Sequence, residues 1–155
     1  RTELIDKLRA LKPLIHDSVT VSKEEAIMTF ELEDFHPAVK QVARRLFEDG
    51  YYRQAILDTY IALVNAVKAK SSKYELDGSG LMQTVFSPKK PILQLSQDPD
   101  EQMGFMWLFS GAVMGIRNPK AHKLDEHPDK GTTLEMLGFA SWLFKILDGA
   151  EIVKD

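Results

Sequence analysis

Apolar residues recur along this chain at three- and four-residue intervals, and no stretch alternates with period two for long enough to build a sheet. The pattern predicts an all-α fold. Leu4, Leu8 and Leu11 stripe a first short helix that Pro13 stops, and Ser22 with Glu25 forms a capping-box pattern ahead of Ala26, Ile27 and Met28. Glu31 to Asp34 reads as an acidic linker, which separates an N-terminal helical extension, residues 1–34, from a helical domain, residues 35–155. In that domain His36 is placed to cap a helix and Pro37 to open it, with Val39, Val42, Ala43, Leu46 and Phe47 on one face as far as Gly50. A second long helix, from Tyr51 or Tyr52 to about Lys70, carries the stripe Tyr52, Ile56, Tyr60, Leu63 and Val67 and sets Gln54, Asp58 and Asn65 on a more polar face. Asp77-Gly78-Ser79-Gly80 reads as a loop into a short helix, Leu81 to Phe86. Asp98 and Pro99 then start a helix to Ile116, and Asn118-Pro119 is expected to end it, because the residue before proline is pushed out of the α region. A polar loop to Gly131 follows, and Thr132 with Glu135 is expected to cap a last helix bearing Leu137, Trp142, Leu143, Ile146 and Leu147.

The helix over 99–116 is apolar almost all round. It therefore forms either the centre of a bundle or a face covered by a second copy of the chain. Its apolar stretch, Met103 to Ile116, contains Gly104, Ser110 and Gly111 and falls short of the roughly 20 residues that span a bilayer. Charges are mixed through the first 13 residues without a signal-peptide core, so a cytoplasmic protein off the membrane is expected. The chain opens on Arg1 rather than Met, leaving room for a fused partner domain ahead of it.

A length of 155 residues with 44% hydrophobic content suits one main core. Without cysteine there is no disulfide, thiolate metal site or thiol nucleophile. The net charge of −3 excludes a uniformly basic nucleic-acid coat, yet residues 35–73 carry seven basic and three acidic groups and residues 117–130 four and three. Basic character is thus local. His16, His36, His122 and His127 show no metal-ligand spacing, so no metal and no cofactor is expected. No Gly-x-Ser-x-Gly elbow occurs, and Gly78-Ser79-Gly80 lacks the spacing and lysine of a phosphate-binding loop.

The remaining chemistry lies in Arg117-Asn118-Pro119-Lys120-Ala121-His122. Arginine grips phosphate through a planar fork and keeps its charge, whereas histidine exchanges a proton near neutral pH. Metal-free RNA cleavage needs those two capabilities, one to hold the phosphate and one to move the proton. If proline forces a turn after Arg117, both side chains can converge on one polar pocket. The pairing alone has low specificity: Arg9 and His16 make a second instance, interrupted by Pro13 in the acidic N-terminal segment.

Phe35-His36-Pro37, Leu46-Phe47-Glu48-Asp49-Gly50-Tyr51-Tyr52-Arg53-Gln54-Ala55, Gly80-Leu81-Met82 and Arg117 to His122, in this order and at these separations, resemble the Ymh-type family of bacterial hypothetical proteins, a branch of the HEPN superfamily, over about residues 33 to 148. The resemblance implies a helical bundle that dimerises through helices flanking its site. It also implies a metal-independent endoribonuclease of toxin-antitoxin or abortive-infection systems, with an antitoxin as possible partner. Arg117 would hold the phosphate, His122 would act as general acid or base, and Asn118 would position the phosphate or the imidazole. Lys120 reads as an RNA-backbone contact or a solvated cation, and Asp58 as a candidate to orient Arg117. Other superfamily members are inactive, so the rival reading is a non-catalytic dimer that binds nucleotide, RNA or a partner protein.

Overall fold

The computed structural model describes Glu3 and residues 32–154, and backbone contacts divide the chain between Asp34 and Phe35. The helix expected around Leu4, Leu8 and Leu11 and the Ser22–Glu25 capping pair lie outside the described residues. From Phe35 onward the all-α expectation holds. The elements are α1 (Pro37–Glu48), α2 (Tyr52–Ser71), α3 (Gly78–Val85), α4 (Pro99–Ala112), a π-helical segment (Val113–Arg117), α5 (Asn118–His122) and α6 (Lys130–Asp148). Two short strands, β1 (Leu93–Gln94) and β2 (Glu151–Ile152), pair antiparallel with Leu93 opposite Ile152. Sequence patterning gave no sign of this pairing, because two residues are too few to alternate.

His36 opens α1 as the sequence suggests, and it does more than cap. Its Nδ1 accepts from the Ala38 N–H at 3.1 Å, which leaves Nε2 to donate to Asp148 Oδ2 at 2.7 Å. Its backbone N–H donates to Ser141 Oγ at 2.7 Å and its ring stacks on Phe144 at 5.1 Å, so one residue ties the start of α1 to α6. At the other end of α1, Gly50 takes φ +80°, a left-handed value. The Gly50 N–H reaches Phe47 O and the Tyr51 N–H reaches Leu46 O, the paired bonds of a Schellman turn. That turn sets Tyr51, Tyr52 and Arg53 at the start of α2.

Helix α2 is the hub. Ala55, Ile56, Thr59, Tyr60, Leu63, Val64, Val67 and Ser71 are all buried, a stripe wide enough to face α1, α6, α5 and the π segment together. The Tyr60 hydroxyl donates to Met136 O at 2.6 Å, and Lys70 Nζ donates to Leu147 O at 2.7 Å, where a cation complements the C-terminal end of α6.

Helix α4 begins as expected, with Asp98 accepting from the Asp100 N–H at 2.9 Å and Pro99 in the first turn. It is not the centre of the bundle. Met106 and Phe109 are buried, but Trp107 is 54% exposed with Met103 and Leu108 also open, and Met114, in the π segment that follows, is 57% exposed. Inside its buried arc sits Gln102, whose amide donates to Phe86 O and Leu93 O while its oxygen accepts from the Leu95 and Ser96 N–H groups. All four bonds fasten the 86–96 connection to α4.

Two expected boundaries are corrected. The last helix starts at Lys130 and is capped by Asp129, whose Oδ1 accepts from the Thr132 N–H at 2.8 Å, so Thr132 is the capped residue rather than the cap. Asn118-Pro119 does not end the helical path either: the chain passes through the π segment directly into α5. In the wide turn the Asn118 N–H reaches back five residues to Val113 O. That register relieves the clash a proline ring makes with the carbonyl four residues back, and Pro119 then occupies the first turn of α5, where no donor is needed.

Candidate functional site

Continuation of the helix changes what the Arg117-to-His122 spacing means. Five residues along an α-helix advance about 7.5 Å and turn about 500°, which leaves the two side chains about 140° apart around the axis. In one chain they diverge. Asn118 and His122, four apart, share a face instead. His122 is exposed and Asn118 half-buried, and neither side chain has a hydrogen-bond partner among the described residues.

Arg117 turns inward to the start of α3. Its side chain is 18% exposed and its Nη1 lies 3.7 Å from Asp77 Oδ2. Gly78, at φ +62°, follows Asp77; a Cβ there would lie 3.7 Å from Arg117 Nη2, so the guanidinium rests against bare backbone. Lys68 Nζ from α2 approaches the other oxygen, Asp77 Oδ1, at 3.2 Å. Partial burial works to raise the Asp77 carboxyl, but hydrogen bonds from the Gly78 N–H and Lys68, with the charges of Arg117 and Lys68, hold it below the usual carboxylate range. Two cations thus share one carboxylate, and Arg117 Nε is buried without a partner. The junction carries an excess positive charge.

Asp58 does not orient Arg117. It accepts from Gln54 Nε2 at 2.6 Å on its own helix, and Asp77 is the carboxylate that meets the guanidinium. Asp77 gave no local signal, since it lies forty positions before Arg117 in a segment that reads as a turn. Lys120 departs from the solvated reading: it is 1% exposed, and its ammonium donates to Glu126 Oε1 at 2.6 Å. This pair draws the loop after His122 back over α5 rather than offering the cation to solvent.

The larger cavity described, about 360 Å³, is lined by Gly50 to Gln54 with His127 and Pro128, and includes neither Arg117 nor His122. It borders their segment, because Arg53 Nε donates to the carbonyl of Lys123 at 3.2 Å. Among the described residues no three His, Asp or Glu side chains gather as metal ligands, and no helix is long and apolar enough to cross a membrane.

No curated protein and no solved structure matches the chain. A family model described as "Protein of unknown function (Hypoth_ymh)" matches residues 33–147, which include α1, α2, the Asp77–Arg117 junction and the exposed Asn118–His122 face. Since that match covers most of its length, the chain belongs to the Hypoth_ymh family.

Proposed function

We propose that the protein is a HEPN-type, metal-independent endoribonuclease whose site is completed by a second copy of the chain. The observation that carries this reading is the pairing of an anchored cation, Arg117, with an exposed imidazole, His122, that has no hydrogen-bond partner among the described residues, in one six-residue segment. Arg117 supplies charge to the phosphate, and Asn118 aligns the phosphate or the imidazole. The 2′-oxygen attacks phosphorus and the bond to the 5′-oxygen breaks. One imidazole takes the proton from the 2′-hydroxyl, and the second copy's imidazolium gives one to the leaving oxygen. The products are a 2′,3′-cyclic phosphate and a 5′-hydroxyl. Such an activity suits the toxin of a toxin-antitoxin pair or an abortive-infection effector in the cytoplasm.

Support for the second copy comes from α4. Met103, Gly104, Trp107, Leu108 and Gly111 are exposed within about 140° of its arc, and Met114 is exposed in the π segment that follows. A Cβ at Gly104, Gly111 or Gly115 would meet nothing within 4 Å, so this face is open for close approach of another helix. It runs straight into the π segment that ends at Arg117. A two-fold contact there would bring two copies of the motif together.

The test is incubation of purified protein with mixed RNA in EDTA beside His122→Ala, with sedimentation of both. A dimer whose cleavage survives chelation and falls roughly a hundredfold or more in His122→Ala is expected. Cleavage that requires a divalent ion, or that is unchanged in His122→Ala, refutes the mechanism. The divergence of Arg117 and His122 within one chain favours a second reading, a non-catalytic dimer that binds nucleotide, RNA or a protein. A dimer that cleaves no RNA would select it.

A further inference from the structure

The Leu46–Ala55 motif and the cavity beside it have no part in the chemistry above. We infer that this cavity is a nucleotide subsite: it takes one aromatic base with its phosphate, as a unit of single-stranded RNA running past His122, an assignment that rests on the RNA-directed reading.

Its size, about 360 Å³, falls at the lower end of small-molecule sites and suits one nucleotide rather than a protein segment. Its lining has the three kinds of group that a nucleotide engages. Arg53 is half-buried and held by its Nε on the Lys123 carbonyl, and it has no carboxylate within ion-pair distance among the described residues. Its four terminal N–H groups therefore remain for a phosphate, with the direction of the fork already fixed. Tyr51 is 63% exposed at the rim, an aromatic face for a base. Tyr52 beside it is braced by Phe47 at 5.3 Å, so that wall is fixed. Gln54 donates its amide N–H to Asp58, which leaves its oxygen to accept from the edge of a base, and His127 adds a second polar group across the cavity.

Five of the seven lining residues, Gly50 to Gln54, come from the 35–73 segment, and Arg53 is the cation that this segment places in the lining. Asp49 lies 3.8 Å from Arg45, Glu126 pairs with Lys120, and Asp129 accepts from the Thr132 N–H. Position ties the cavity to the proposed cleavage, because the carbonyl that anchors Arg53 belongs to the residue immediately after His122. A strand held here would present a neighbouring phosphate to the exposed Asn118–His122 face.

The experiment is titration of the full chain with an uncleavable 2′-O-methyl hexanucleotide and, separately, with AMP, followed by fluorescence polarisation and by NMR of the backbone amides. The expected result is hexanucleotide binding that weakens roughly tenfold in both Arg53→Ala and Tyr51→Ala, with thermal melts unchanged and amide shifts at residues 50–54 and 127. Tyr51→Ala guards against misfolding, since that side chain is mostly in solvent. AMP that binds as tightly as the hexanucleotide would identify a free nucleotide as the source of the same chemistry. Unchanged affinity in both variants, shifts confined to other surfaces, or binding of neither probe at millimolar concentration would overturn the subsite. Cleavage that persists while these probes fail would leave the nuclease reading standing without it, and intact probe binding with no cleavage of any RNA would do the reverse.

Discussion

Replacing Lys120 by methionine should destabilise the domain by roughly 2–4 kcal/mol, and the origin of that figure is a single buried contact. The Lys120 side chain is 2% exposed, and its ammonium meets Glu126 Oε1 at 2.6 Å. Methionine fills a similar volume, so apolar packing is retained and the loss is electrostatic. Glu126 is left with a carboxylate whose other oxygen, Oε2, is already buried without a hydrogen bond. Removing one member of a fully buried pair costs about 3–5 kcal/mol. The Glu126 side chain is 35% exposed, so water recovers part of that penalty. Glu126→Gln should be at least as damaging, because it strands the more deeply buried partner. Lys120→Met combined with Glu126→Gln removes both charges and should recover much of the sum of the single losses. The assay is urea denaturation followed by tryptophan fluorescence, since both tryptophans, Trp107 and Trp142, lie in the helical domain. In thermal melts the single variants should fall by roughly 6–12 °C. A Lys120→Met loss below about 0.5 kcal/mol, with no coupling in the double variant, would refute a structural role. If RNA affinity fell at the same time with stability unchanged, Lys120 would be a substrate contact after all.

Gln102→Met leaves two carbonyls and two N–H groups of the 86–96 connection without their side-chain partner, and should lower stability by about 3–5 kcal/mol in urea. Asp77→Asn should flatten the acid limb of the stability curve. The Asp77 carboxyl is held below its unfolded value, so its contribution is complete above about pH 4 and is lost as pH falls through the lowered native value; acid titration of the two proteins by circular dichroism checks this. Tyr60→Phe removes the bond to Met136 O and should cost about 1 kcal/mol at neutral pH. Burial pushes the Tyr60 phenol up, so its contribution is present below about pH 10 and is lost as pH rises beyond it; the variant should lose less stability than the parent in alkaline melts.

What the sequence made legible was whatever depends on a few adjacent residues. His36 with Pro37 and Asp98 with Pro99 start their helices because a cap and the donor it satisfies lie two or three positions apart. Thr132 misled for the same local reason: Asp129, three residues earlier, offers a competing cap and its carboxylate reaches the Thr132 N–H. Asp77, Gln102 and Glu126 were not readable as partners, since each meets groups that only the packed bundle brings near. The π segment is the most consequential case. A rule about the residue before proline, applied to Asn118, predicts a turn, and a turn would allow Arg117 and His122 to meet. One wider helical turn instead keeps the path helical, sends Arg117 to Asp77 and leaves His122 on the outer face with Asn118. The same six residues therefore do not assemble a site around themselves in one chain. If Arg117 and His122 act together, the missing geometry has to come from outside the chain, and the exposed face of α4 that leads into Arg117 is where a second copy would supply it.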